Sequence, residues 1–343
     1  MTDATDATDA TDPCHAHVDA LLAAAYRGRH DDTRRALATA RQALALAEQA
    51  GYVRGRAWAL LRVALCECIV ADPARHYEQR LGESIALMRD LGELAGEAEA
   101  MNLLAHILEA RAERDQATAL RRRCLELRRQ TGDIIGQAGA LLNLGHVLLD
   151  AGQADEALGC LRESLQLATE AQDHRGLAYA HAGLGRAWAE LGDDAAALGQ
   201  YELAFVYVTR TEDRALECTV LIALGRARAV AGQHGEAMSV LQHAHALALR
   251  TGNAGDLARV HHAQAAIEQA RGDDAAAEAC LHAALHVLLR AEDRALEAEV
   301  RLGLSQVLLR LRQPEAAHAQ DAQAQALQQA AAGAGPADGS ARM

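Results

Sequence analysis

Apolar side chains recur three and four residues apart along most of the chain, the spacing that lays one apolar stripe down a face of an α-helix. Gly, Asp, Asn and Pro interrupt the stripe at regular places, leaving segments of about 17 to 19 residues between them. The pattern predicts helices joined by tight turns and taken in pairs.

The interruptions and the buried positions share a period of 40 residues. Ala117, Ala157, Ala197, Ala237, Ala277 and Ala317 form one column; Leu104, Leu144, Leu184, Leu224 and Leu304 form another, broken at Gln264. Gly152, Gly192, Gly232 and Gly272 form a third, with Ala112 and Arg312 at its ends, and Asp133, Asp173, Asp213, Asn253 and Asp293 form a fourth. A short side-chain oxygen suits the N-cap of the first helix of a pair, and glycine suits the left-handed residue that closes it. Asp193, Asp273 and the Gln313–Pro314 pair then start second helices, with proline in the first turn. The alanine column is expected in the second helix, where a methyl group lets two backbones approach closely. This register predicts about eight helix pairs from roughly His15 to Ala331, the first out of phase by about one residue and the last ending in a Gln-rich helix. Atypical end repeats are expected, because each must show one face to water. The expected organisation is a disordered low-complexity tail over 1–13, the array over 14–331 and a second tail over 332–343.

The segment AYAHAGLGRAWAELGDDAAALGQYELAF, Ala178 to Phe205, resembles the tetratricopeptide repeat. It carries the Leu184–Gly185 pair, bulky Trp188, turn Gly192, small Ala197, aromatic Tyr201 and small Ala204. Leu141 to Leu165 matches nearly as well, and the likeness covers roughly residues 94–311. At the ends it departs: Tyr77 stands for the alanine, Leu65 for the glycine and Asp321 for the aromatic residue. The period is longer than the family's commoner one and is similar to that of bacterial regulatory arrays, where the repeats dock or sense and a separate domain acts. The resemblance implies an all-α right-handed solenoid with first helices lining a concave face and second helices outside.

Composition supports the helical reading, since Ala and Leu dominate and aromatic residues are 3% of the chain. The 34 basic against 47 acidic side chains leave a net charge of −13, which disfavours a general nucleic-acid binder. No apolar run approaches the roughly 20 residues of a membrane span; the richest, Leu60 to Val70, is broken by Arg62 and Glu67. The opening TDATDATDATD lacks the order of a secretory signal, and the seven cysteines show no paired spacing. A cytoplasmic chain with reduced thiols is expected, with neither nucleic acid nor membrane as partner.

On the implied concave face, the position after each Gly185-like residue reads Cys66, His106, His146, Arg186, Arg226, Ala266 and Gln306. The position four earlier contributes Arg62, Asn102 and His262, and the position four later contributes Asp150 and Glu190. For any one of these residues a solvated face or an Arg186–Glu190 pair is the plain alternative. As a column they point to an acidic ligand, namely a peptide carboxylate, an acidic segment or a phosphate. Asn143 stands where peptide-binding members of the family place an asparagine that clasps an extended backbone, so the resemblance adds it to the set. The expected partner-binding residues are therefore Arg62, Asn102, His106, Asn143, His146, Arg186, Glu190, Arg226 and His262.

Other clusters read as structural. Cys14, His15 and His17, and Cys66 with Cys68, lack the paired spacing of a zinc site. His282 and His286 lack the glutamate of HExxH, and no phosphate loop or GxSxG elbow occurs. Trp188, Tyr201, Phe205 and Tyr207 read as core packing. No metal, cofactor or catalytic residue is expected. The expected function is a regulatory or scaffolding module that holds a partner segment or peptide. The alternative is a bacterial sensor that takes a short peptide or small ligand and controls a separate effector. An apolar end repeat leaves pairing of two arrays open.

Overall fold

The computed structural model describes residues 12–29, 32–70, 77–111, 113–289 and 293–333, and among them no strand occurs. Sixteen helices follow one another as hairpins: α1 (Pro13–Gly28) with α2 (Thr33–Gln49), α3 (Val53–Val70) with α4 (Tyr77–Asp90), and α5 (Leu94–Ala110) with α6 (Arg114–Gln130). Next come α7 (Ile134–Asp150) with α8 (Ala154–Glu170), α9 (His174–Glu190) with α10 (Asp194–Val208), and α11 (Arg214–Val230) with α12 (His234–Thr251). α13 (Ala254–Arg271) with α14 (Asp274–Leu288) and α15 (Arg294–Arg310) with α16 (Pro314–Gly333) complete the series. The expected all-α solenoid architecture is present. The chain forms two compact units that meet at Val147 and Leu148, inside α7.

The repeat columns act locally as their chemistry requires. Asp173, Asp213, Asn253 and Asp293 each accept a bond from a backbone N–H in the first turn of the following helix, and Asp133 does so from Gly136. Asp193 and Asp273 cap second helices in the same way, and Pro314 opens α16. Gly152, Gly192, Gly232 and Gly272 all have positive φ, and Arg312 holds that left-handed turn in the last hairpin at φ 61°. Ala112, the other end of that column, lies outside the described residues.

A second left-handed column was not anticipated. Gly92, Gly132 and Gly252 close second helices with positive φ, and Gln172 takes the same place at φ 53°. Gly51 is the equivalent turn of the first hairpin, one residue out of step, as the phase of that repeat predicts. Four helices are shorter than the expected length: α1 has 16 residues, α4 has 14, and α10 and α14 have 15 each. In α10 the Thr209 and Thr211 hydroxyls donate back to the carbonyls of Val206 and Val208, closing the helix early.

Alanines of the Ala column are buried, and Gly185 and Gly225 show why small residues recur across the hairpin. A Cβ at Gly185 would lie 2.7 Å from the Tyr201 ring, and one at Gly225 would lie 2.7 Å from Leu241. Side chains of the second helix thus seat on the backbone of the first. In each unit neighbouring first helices also touch: α1 with α3 and α3 with α5, then α9 with α11, α11 with α13 and α13 with α15. Second helices make no comparable contact with one another among the described residues. First helices are therefore the closely spaced layer of each unit, and functional side chains on them converge.

At the ends, Asp12 caps α1 and Pro13 is its first residue, while α16 runs to Gly333. The remainder of the two expected tails lies outside the described residues. No helix is long and apolar enough to cross a membrane among the described residues.

Candidate functional site

In the second unit, three successive helices build one cleft. α9 brings Arg186 and Glu190, α10 brings Tyr201, and α11 brings Arg226, around a cavity of about 440 Å³. Ala189, Ala197, Ala223, Ala227 and Val230 add apolar lining to it. Asp194, the first residue of α10, adds a second carboxylate to the lining.

The charges in this cleft are not equivalent. Arg186 donates to Asp150 and, at 2.9 Å, to Glu190. Burial opposes its charge, yet the two carboxylates outweigh that and hold it firmly protonated. Arg226 is exposed and makes no hydrogen bond or ion pair within the described structure. The Tyr201 ring is seated by Gly185, and burial lifts its phenol to about 12 despite nearby Arg226 and Arg186. At neutral pH it is a neutral hydroxyl, able to donate. The cleft thus holds one committed guanidinium, one open guanidinium and a phenol beside apolar lining.

His262 on α13 lies further along the same layer. Burial lowers its pKa and the charge of Arg226 lowers it further, against Glu299 on α15, so the imidazole is held neutral. Arg186, Glu190 and Arg226 are thus brought together, with His262 beside them. Tyr201 is the residue that sequence reasoning assigned to the core. The signal for it lay in the repeat arithmetic: the aromatic position of the second helix falls against Gly185, directly before Arg186.

The first unit treats its expected residues differently. Arg62 is 9% exposed, bonded to Glu99, with its guanidinium 4.1 Å from the centre of the Tyr26 ring and 5.1 Å from that of Trp58. Its guanidinium is engaged internally there, and the side chain lines a cleft with Asp19, Arg54 and Trp58. Asn102 accepts bonds from Arg121 and from Asn143, the latter at 3.1 Å. The Asn143 amide is thus engaged by an acceptor that stands 41 residues upstream on α5. Arg121, 3% exposed, completes the network with bonds of 2.7 and 2.9 Å to Glu109. Glu109 is held below the usual carboxylate range: burial raises its pKa, but His106 and Arg121 outweigh it. His106 is exposed, 3.8 Å from Glu109, and His146 is half-buried on α7.

Among the described residues no three His, Cys, Asp or Glu side chains converge as a metal set would require. His15 stacks on Tyr52 at 3.9 Å, and His282 lies 3.8 Å from Glu278.

The tetratricopeptide repeat model matches residues 136–206, the stretch that carries α7 to α10 and the Arg186 side of the cleft. Solved structures agree on the fold. The apo form of the quorum sensor NprR from B. thuringiensis superposes with a TM-score of 0.67 at 13% identity, covering 91% of this chain and 87% of that one. The apo form of RapI gives 0.66 at 12% identity, covering 80% and 97%. The Rap conjugation gene regulator of plasmid pLS20, in complex with the Phr* peptide, gives 0.61 at 12% identity, covering 92% and 96%. No curated protein matches the chain in sequence. Residues 136–206 are of the tetratricopeptide kind, and the chain is an α-solenoid similar in fold to these proteins.

Proposed function

We propose that the chain is an interaction module that holds a peptide, or a segment of a partner protein, through a carboxylate docked in the α9–α11 cleft. The observation that carries this reading is Arg226. It is an open guanidinium in a layer where the other arginine of the cleft is satisfied internally. An open cation beside a phenol donor suits an oxyanion, and the apolar lining beside it suits a side chain. Two neighbours in fold support the choice of a peptide, since one is described in complex with the Phr* peptide and a Rap protein in complex with competence and sporulation factor.

The manner of use favoured by those neighbours is regulatory: the chain senses its ligand and acts on a separate effector, the descriptions being of a quorum sensor and a gene regulator. A cytoplasmic setting fits this reading. No catalytic group is assigned, because the polar side chains of the cleft lack a nucleophile and base in contact.

The test is capture of an unbiased peptide array by the wild-type chain and by Arg226→Glu, with helicity followed by circular dichroism. Peptides held by the wild type and lost by the variant at unchanged helicity support the site. Equal capture by both removes the cleft from the account. For the regulatory use, solution scattering with and without a captured peptide should show a change in radius of gyration; an unchanged value leaves a static scaffold.

A further inference from the structure

The joint between α12 and α13 breaks the pattern of the joint before it. On α11, Leu221 belongs to a buried apolar cluster, and Phe205 on α10 packs against that cluster. Forty residues on, the same two places hold His245 and His261. Their rings stand edge to face, with centres 5.2 Å apart and planes at 67°, and both side chains are half-buried. Among the described residues the pair makes one side-chain hydrogen bond, to Gln264, and no ion pair. Two imidazoles have thus replaced apolar contact here without a charge to hold them.

What the joint gives up in packing it gains in donor geometry. His261 Nδ1 lies 3.2 Å from Gln264 Oε1. An amide oxygen only accepts, so Nδ1 carries the proton and Nε2 keeps its lone pair. Metal-binding imidazoles are oriented in this way, one ring nitrogen donating to a fixed acceptor while the other faces the ion. Two imidazoles on one ion, with bonds of about 2.0 to 2.1 Å at a tetrahedral angle, set their ring centres about 5 Å apart. The pair already stands at that separation. The described residues bring no third His, Cys, Asp or Glu to it, and the half-exposed rings leave the other positions to water. Neutral nitrogen donors suit Zn²⁺, Ni²⁺ or Cu²⁺, whereas Mg²⁺ and Ca²⁺ take oxygen.

We propose that His245 and His261 form a two-donor site for a divalent transition-metal ion, with Gln264 as its orienting residue. The ion ties α12 to α13, and so joins the hairpin that carries Arg226 to the hairpin that carries His262.

The probe is Ni²⁺, titrated by calorimetry into the untagged full chain, with helicity followed by circular dichroism. One equivalent should bind. His245→Phe and His261→Leu, which restore the residues of the preceding joint, should each remove it at unchanged helicity. Gln264→Leu keeps both donors and should weaken affinity about tenfold, the effect of losing an orienting partner. His282→Gln with His286→Gln, which removes the exposed pair one turn apart on α14, should leave binding unaltered. Ni²⁺ should also raise the thermal midpoint of the wild-type chain, and not that of His245→Phe, because an ion held only by the folded pair stabilises it. Nickel lost with the α14 pair and kept by His245→Phe would overturn the assignment. So would an equivalent retained by every variant, or none bound by the wild type. Binding without a rise in the midpoint would overturn the tie between the two helices.

Discussion

Arg62 in the first unit and Arg226 in the second are both arginines on a first helix, yet only Arg62 has an acid partner among the described residues. Arg62 finds Glu99 on the next first helix and two aromatic rings beside it. Arg226 has no such supply. The spacing of the ion pairs explains the difference. Arg186 bonds Asp150, 36 residues before it, and Glu190, four residues after it. By the same spacings Arg226 is offered Glu190 and Val230. Glu190 is already bonded to Arg186, and Val230 is apolar. An open cation in this repeat is therefore a deficit of acids in one column, that of Asp150, Glu190 and Val230, and a deficit of that kind marks where a periodic surface departs from self-sufficiency.

The largest effect expected from this contrast is on stability in the first unit. Arg121 is buried and holds Glu109, Asn102 and, through Asn102, Asn143. Arg121→Met takes the guanidinium from a partly buried Glu109 and leaves Asn102 with Asn143 as its remaining side-chain donor, and should cost about 3 kcal/mol. Each unit carries one of the two tryptophans, Trp58 and Trp188, so urea unfolding in Trp188→Phe and Trp58→Phe backgrounds reads the units separately. The loss should appear in Trp58 emission; a change below about 1 kcal/mol would mean that the network is replaced by water.

Next in size is the direct comparison. Arg62→Met should destabilise the first unit by about 2 kcal/mol, since it removes an ion pair and two cation–π contacts at a nearly buried position. Arg226→Met should alter the second unit by no more than about 0.5 kcal/mol, as expected for an exposed side chain with nothing to lose. Equal effects would erase the distinction between the two arginines.

Much of the fold was legible in the sequence because a repeat prints each structural demand several times over. The capping aspartates, the glycine turns and the buried alanines all fall where their columns put them. The site was legible only in part. The columns record that Arg62 and Asn102, and again Arg186 and Arg226, face similar surroundings, but not which of these residues, or of Asn143, meets an acceptor on the neighbouring helix. Asn143 is bonded because Asn102 stands one repeat earlier. Tyr201 was hidden by its own repeat role, since one ring both packs on Gly185 and lines the cleft.

The acid deficit can be repaired. Val230→Glu places a carboxylate one turn after Arg226, as Glu190 stands to Arg186, and the two should pair. Affinity for a captured peptide should fall about tenfold, equivalent to about 1.4 kcal/mol, although no proposed contact with the carboxylate has been removed. Titration by fluorescence anisotropy reads it directly. Unaltered affinity would show that Arg226 is not the anchoring cation.

The smallest effect concerns the left-handed turns that set each first helix in register, where the two units again differ at one column. Gly132 closes α6 at φ 66°, and Gln172 closes α8 at φ 53°. The hydrogen bonding is the same: Gly132 and Gln172 donate to the carbonyls three residues back, and Asp133 and Asp173 to those five residues back. A Cβ at Gly132 would meet nothing within 4 Å, so only backbone strain separates the two positions. Gly132→Ala should therefore cost the first unit about 1 kcal/mol. Gln172→Gly relieves the same strain but frees the unfolded chain, and the opposing terms should leave the second unit about 0.5 kcal/mol more stable. Were Gln172→Gly to destabilise instead, the glutamine side chain would hold the turn by a contact that outweighs its strain, and the two turns would not be equivalent.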